Sequence, residues 1–234
     1  MGLLMTGGGR EDSVFVRNNA TGAASVSFSS MVANNPYNVM WTIGGVANAT
    51  LNPGVVALPG ADKSVIFEFT PVQRLTGFSL RNNALTGTFP DLAGCTSLSA
   101  IDCAINALTG SLPSFDSLVS LTSVNIRTNA LSGDIPSLGR NTALTQIFGY
   151  TNQFTGIVSG FAVPPSLGDF EFNLCALTQA AVDAILAAFV AAGRTSANGA
   201  CVLRIDGLGN AAPSAAGAAS KATLAARGWT VITN

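Results

Sequence analysis

The residues best placed to do chemistry are a carboxylate pair, Asp169 and Glu171, two positions apart in the segment LGDFEFN. Residues at that spacing share one face of a strand. Two carboxyls on one face superficially match the acid and base of glycosidic hydrolysis. Arg204, brought alongside by the repeat register below, accounts for Glu171 without any reaction. The 234 residues include no histidine, which removes the commonest general base, the usual serine and cysteine triads and most zinc sites. Cys95, Cys103, Cys175 and Cys201 are scattered and form no CxxC. They read as structural thiols rather than a disulfide framework or a metal site. TGGGR lacks the Lys-Ser/Thr that would complete a phosphate loop, and GLGN is too short a glycine signal. The expectation is a chain with no catalytic residues, no metal and no cofactor.

Charge narrows the partners. Eleven basic and twelve acidic residues give a net charge of −1, and only 10% of the chain is charged, against about 25% in a typical soluble domain. No broad basic face is available for nucleic acid. Mean hydropathy is +0.43, yet the richest apolar run, Ala180 to Ala192, is 13 residues and includes Asp183. A membrane span needs about 20 residues, so none is expected. The start, MGLLMTGGGRED, has no basic region followed by an apolar stretch of signal-peptide length. Gly2 and Thr6 match the myristoylation pattern, but the glycine-rich continuation reads as a flexible arm. The sequons at Asn19 and Asn48 read as accidental, and a reducing cytoplasm fits as the place of synthesis.

Self-similarity organises the middle of the chain. Cutting before Leu75, Leu98, Leu121 and Leu144 gives four segments of 23 residues, and a fifth opens at Leu167. One apolar column holds those five leucines, and another holds Phe78, Ile101, Val124, Ile147 and Phe170. A polar column holds Asn83, Asn106, Asn129 and Asn152, with Cys175 in the fifth place. Alternation around Leu98, Ile101 and Cys103 predicts a short strand with those side chains inward. An asparagine at its end can bond backbone groups where strand passes into loop. Thr-Gly or Ser-Gly then precedes the pairs Phe89-Pro90, Leu112-Pro113 and Ile135-Pro136, which turn the chain on the opposite side. Such coils close a core only by stacking.

Residues 75–177 resemble the leucine-rich repeat, LxxLxLxxNxL, in the variant with LTGxIP in its second half, known from plant receptors and some bacterial and viral proteins. The resemblance implies an α/β leucine-rich-repeat solenoid whose parallel concave sheet binds other molecules. The fourth repeat departs from the pattern: Val158-Ser159 replaces the apolar-Pro pair, and Gly149 stands where an inward aliphatic is expected. That coil is expected to be looser or distorted.

Four regions follow: a flexible arm (1–12), a small N-terminal β module or cap (13–70), leucine-rich repeats (71–177) and a C-terminal repeat with a helix/strand cap (178–234). SVFVR, ASVSFSS, NVMWTIG and KSVIFEFT are the strands expected in the front module, with Trp41 and Phe69 in its core. At the other end Thr178 caps a helix with the stripe Ala181, Val182, Ile185, Leu186 and Phe189, ending at Gly193. CVLRID reads as a strand, Pro213-Ser214 opens an alanine-rich helix, and WTVIT is a closing strand. This tail resembles the C-terminal end of repeat proteins of bacteriophage virions and related bacterial surface proteins.

In this register two columns are expected on the exposed concave face. The first is Ser79, Asp102, Asn125, Phe148, Glu171 and Arg204; the second is Arg81, Ala104, Arg127, Tyr150, Asn173 and Asp206. Asp102 lies diagonally between Arg81 and Arg127, and Glu171 can meet Arg204, either as surface ion pairs or as a charged recognition site. Phe148 and Tyr150 are either a platform for a sugar or protein partner, or one of them tucks inward to compensate for Gly149. The candidate binding residues are therefore Arg81, Asp102, Arg127, Phe148, Tyr150, Glu171 and Arg204.

The function expected is a non-enzymatic bacteriophage virion protein, either a capsid decoration or head fibre or a tail adhesin. It would be oligomeric in the assembly and joined to other virion proteins through residues 1–70, with a host-surface protein or glycan possible on the repeat face. A bacterial cell-surface or secreted binding protein is the alternative, and a carbohydrate-active enzyme the least favoured.

Overall fold

The computed structural model describes residues 75–83, 85–195 and 201–234, together with the backbone of strand segments between residues 16 and 70; side chains are described from residue 76 onward, that of residue 78 excepted. The expectations for the arm (1–12), for Gly2 and Thr6, and for the side chains of Trp41 and Phe69 lie outside the described residues. In the front part the strands are β1 (Val16–Asn19), β2 (Ser25–Ser27), β3 (Val32–Ala33), β4 (Asn38–Ile43), β5 (Val46–Asn48), β6 (Val55–Ala57) and β7 (Ser64–Thr70). β1, β7, β4 and β5 form an antiparallel sheet in that order, while β2 pairs with β6. NVMWTIG and KSVIFEFT thus become the paired strands β4 and β7. Strands β3, β5 and β6, of two or three residues, were too short to show an alternation in sequence.

Each coil then contributes two strands: β8 (Leu75–Ser79) and β9 (Thr86–Thr88), β10 (Ala100–Asp102) and β11 (Ala107–Gly110), β12 (Ser123–Asn125) and β13 (Ala130–Ile135), β14 (Gln146–Phe148) and β15 (Gln153–Ile157). The chain continues through β16 (Asp169–Glu171), α1 (Gln179–Ala192), β17 (Val202–Arg204), α2 (Ala215–Ala226) and β18 (Thr230–Ile232). Among the described residues the main sheet has eight strands, ordered β18-β17-β16-β14-β12-β10-β8-β3. All its pairings are parallel except β3 with β8, where a strand from the front part covers the first coil. This is the α/β solenoid of stacked parallel strands that the leucine-rich-repeat resemblance implied. The LTG segments form a second parallel sheet, β15-β13-β11-β9, beyond the turn expected there.

Burial follows the repeat columns. Leu98, Leu121 and Leu144 are each 0% exposed and form one file through the core, with Ile101, Val124, Ile147 and Phe170 in the next. Asparagines fasten coil to coil. Asn129 accepts from the Leu108 N–H at 3.0 Å and donates to the carbonyls of Cys103 and Ile126, both at 3.0 Å. Asn106 and Asn152 repeat this one coil earlier and later. In the fifth coil the Cys175 thiol lies near the carbonyls of Gly149 and Asn173, at 3.6 and 3.7 Å, but cannot reproduce the amide's bonds. Asn210 resumes the pattern, accepting from Leu177 and donating to Phe172 and Ile205. A hydroxyl row joins the coils at the start of the main-sheet strands, Thr145 donating to the Thr122 carbonyl and Thr122 to that of Ser99.

The residue before Asn83, Asn106, Asn129, Asn152 and Cys175 takes a left-handed backbone: Asn82, Ile105, Thr128, Thr151 and Leu174 have φ between 53° and 58°. This turn, absent from the sequence reading, follows β8, β10, β12, β14 and β16. Gly110 and Gly133 make the second unusual turn, with φ of 78° and 81°.

Coil four is distorted where the sequence departs. The register of β13 with β15 shifts between Gly133 and Asp134, so that Thr155 bulges. Gly149 is explained differently from either expectation. A Cβ there would overlap the ring of Phe172, which comes from the next coil and fills the space itself. Phe148 and Tyr150 both stay half-exposed, and neither tucks inward.

The C-terminal segment closes the core. Thr178 caps α1 by accepting from the Ala181 N–H, Gly193 ends it with φ 75°, and its buried stripe is Ala181, Val182, Ile185, Leu186 and Phe189. Ser214 caps α2. A run of ring contacts links coil four to the last strand: Phe154–Phe172 at 5.4 Å, Phe172–Phe170 at 4.6 Å, Phe170–Phe189 at 5.3 Å and Phe189–Trp229 at 5.1 Å.

Candidate functional site

The outer face of the main sheet presents side chains that alternate with the buried files. Parallel register sets Ser79 beside Asp102, Asp102 beside Asn125, Asn125 beside Phe148, Phe148 beside Glu171 and Glu171 beside Arg204. All of these are half-exposed. The second column departs from the expectation of uniform exposure: Ala104 is 0% exposed and Asn173 6%. Asn173 Oδ1 and Asn125 Oδ1 are buried acceptors without a hydrogen-bond partner.

The ion pairs also rearrange. Arg81 approaches Asp102 at 3.8 Å, while Arg127 lies over the Tyr150 ring, 5.6 Å from its centre. The expected place of Asp102 between two arginines is therefore filled on one side only, because an aromatic face competes for the second guanidinium. Arg204 donates to Asp206 at 2.9 Å rather than to Glu171. Asp206 stands two residues along the same face and is reached without spanning to the next strand. Burial raises the pKa of Glu171, and neighbouring Asp169 adds to this, while Arg204 and Arg127 pull it down. Asp169 is raised by burial alone. The two carboxyls thus share a face as expected, and each has its charged form disfavoured.

A groove of about 380 Å³ crosses the first four coils of this face. Its lining includes Ser79, Asp102, Ser123, Asn125, Gln146 and Phe148. Sequence reasoning placed Asp102 and Phe148 on the face but missed the groove. The signal was the small column Gly77, Ala100 and Ser123 beside them. Arg127, Tyr150, Glu171 and Arg204 lie outside its lining.

No family model matches the chain. No curated protein matches it either. Among solved structures, the BIR2 ectodomain from Arabidopsis thaliana is similar at 27% identity and a TM-score of 0.37, over 43% of this chain and 55% of that one. The chain therefore spans about half the length of that ectodomain.

Among the described residues there is no group of three or more His, Cys, Asp or Glu able to hold a metal ion. No described helix is long and apolar enough to cross a membrane. The four cysteines are all buried and are joined in no disulfide.

Proposed function

We propose that this chain is a non-enzymatic binding protein that offers the outer face of its main sheet to a partner. The observation that carries this reading is the unbroken row of half-exposed side chains from Ser79 to Arg204, held in register across six parallel strands. A rigid face of mixed polar and aromatic groups suits recognition, and the Arg127–Tyr150 contact supplies two of the three residue types enriched in interface hot spots. The setting proposed is a bacteriophage virion, as a capsid decoration, head fibre or tail adhesin, with residues 1–70 joining it to neighbouring virion proteins in several copies. The C-terminal likeness to phage repeat proteins supports that setting, as does a low charge of 10% suited to dense assembly.

Purified particles examined by cryo-electron microscopy and mass spectrometry test the setting: the chain is expected on the particle surface. Its detection on bacterial envelopes and absence from particles would replace the virion with a cell-surface role. The face itself is tested by Tyr150→Ala, expected to weaken partner binding about tenfold with an unchanged melting temperature. A large drop in melting temperature with binding intact would sink it.

A further inference from the structure

We infer that the groove across the first four coils is a subsite for an uncharged, hydroxyl-rich ring, such as a unit of a neutral glycan. This rests on the outer face being the binding face. The volume of about 380 Å³ falls within the range of small-ligand sites, about 300–1,000 Å³. At about 4.8 Å between strands, the groove runs some 14 Å from β8 to β14, long enough for a short oligosaccharide. Phe148 provides an aromatic wall at the β14 end, while the small residues Gly77 at the β8 end and Ala100 and Ser123 between keep the floor low. An aromatic ring beside polar groups is the pairing that a sugar requires, since it has an apolar face and an edge of hydroxyls.

The polar groups are already fixed in place. Asp102 accepts from the Ala104 N–H at 3.1 Å through one oxygen and meets Arg81 at 3.8 Å through the other. Its charge is thereby countered locally, leaving spare lone pairs to accept hydroxyl protons. Gln146 donates to Ser123 Oγ at 2.9 Å. Asn125 Oδ1 has no partner, a lapse in hydrogen bonding that a small shift of the amide toward a ligand hydroxyl would repair. A charged ligand would find no uncompensated opposite charge among these residues. A peptide partner would find in this groove a low floor of Gly77, Ala100 and Ser123 rather than a pocket for each alternate side chain.

The full chain on an array of neutral and acidic oligosaccharides tests this, with hits followed by calorimetry. Neutral glycans are expected to bind. Phe148→Ala and Asp102→Asn should each weaken them about tenfold, with melting temperature unchanged because both side chains are half-exposed. Val119→Ala, exposed and outside both the groove and the facing columns, should leave glycan binding alone. Selective capture of acidic glycans, no capture, or capture indifferent to Phe148 and Asp102 would overturn the subsite. In those cases a partner interaction still sensitive to Tyr150 would leave the broader binding face standing, and its insensitivity would remove both.

Discussion

At Ile105, Thr128 and Thr151 a β-branched side chain sits on a left-handed backbone, with φ of 58°, 55° and 57°. That conformation costs an ordinary L-residue roughly 1–2 kcal/mol and asparagine less. Ile105 is also 36% exposed, so little packing is lost when it is replaced. Ile105→Asn is therefore expected to stabilise the chain by about 1 kcal/mol, read as a higher urea midpoint at constant slope. A lower midpoint would show that the isoleucine side chain makes good its backbone cost. Of the five left-handed positions, which also include Asn82 and Leu174, only Asn82 carries a residue whose type announces such a turn, which explains why sequence reading missed the other four. The thiols were legible, since buried cysteine is the ordinary state of scattered cysteines. Burial raises Cys95 to about 12 and Cys175 to about 11, and Asp91 adds to the first. Burial likewise raises Cys103. The folded chain keeps these protons while the unfolded chain loses them above about pH 8.5. Stability is then unaffected below that pH and falls as pH rises toward 11. Urea midpoints at pH 7.5 and 10 should show the fall, and a thiol reagent at pH 7.5 should label only the unfolded chain.

Coils four and five are packed as a matched pair, which gives the element scale its clearest test. Phe172 occupies the space that an inward side chain on Gly149 would take. Gly149→Ala should cost about 1–3 kcal/mol through overpacking, and Gly149→Ala with Phe172→Leu should recover part of that loss. Additive losses in the double variant would refute the pairing. Strand register and the buried leucine files could be read from the repeat columns, because each is a local pattern multiplied by stacking, and the Thr178 cap from its place before an apolar stripe. The exchange of Phe172 for a missing Gly149 side chain could not, because it couples residues 23 positions apart whose types break the pattern separately. The same limit applied to the site. The columns predicted which side chains share the face. Whether Arg204 turned to Glu171 or Asp206 depended on side-chain reach, which a register cannot specify.

A stack of coils has an exposed core at each end, and the described residues close the later one through Phe189 and Trp229. Phe189 is buried against Phe170 on one side and Trp229 on the other. Phe189→Ala is expected to cost about 3–5 kcal/mol and to loosen α1, α2 and β18 before the middle coils. Hydrogen exchange should show protection lost first in residues 179–234 and retained at Leu121 and Leu144. Uniform loss along the chain would mean the whole stack unfolds as one unit. The asparagine and threonine rows bear on a different situation, in which the molecule is stretched between two anchored bodies. Coils one to four are each fastened to the next by the same few asparagine bonds, and only at Cys175 is the row interrupted, so tension applied along these coils meets near-identical fasteners in series. Each that yields releases 23 residues, about 80 Å of chain at full extension. A pulled molecule would lengthen in even steps and absorb work at each one, as a shock-absorbing tether does.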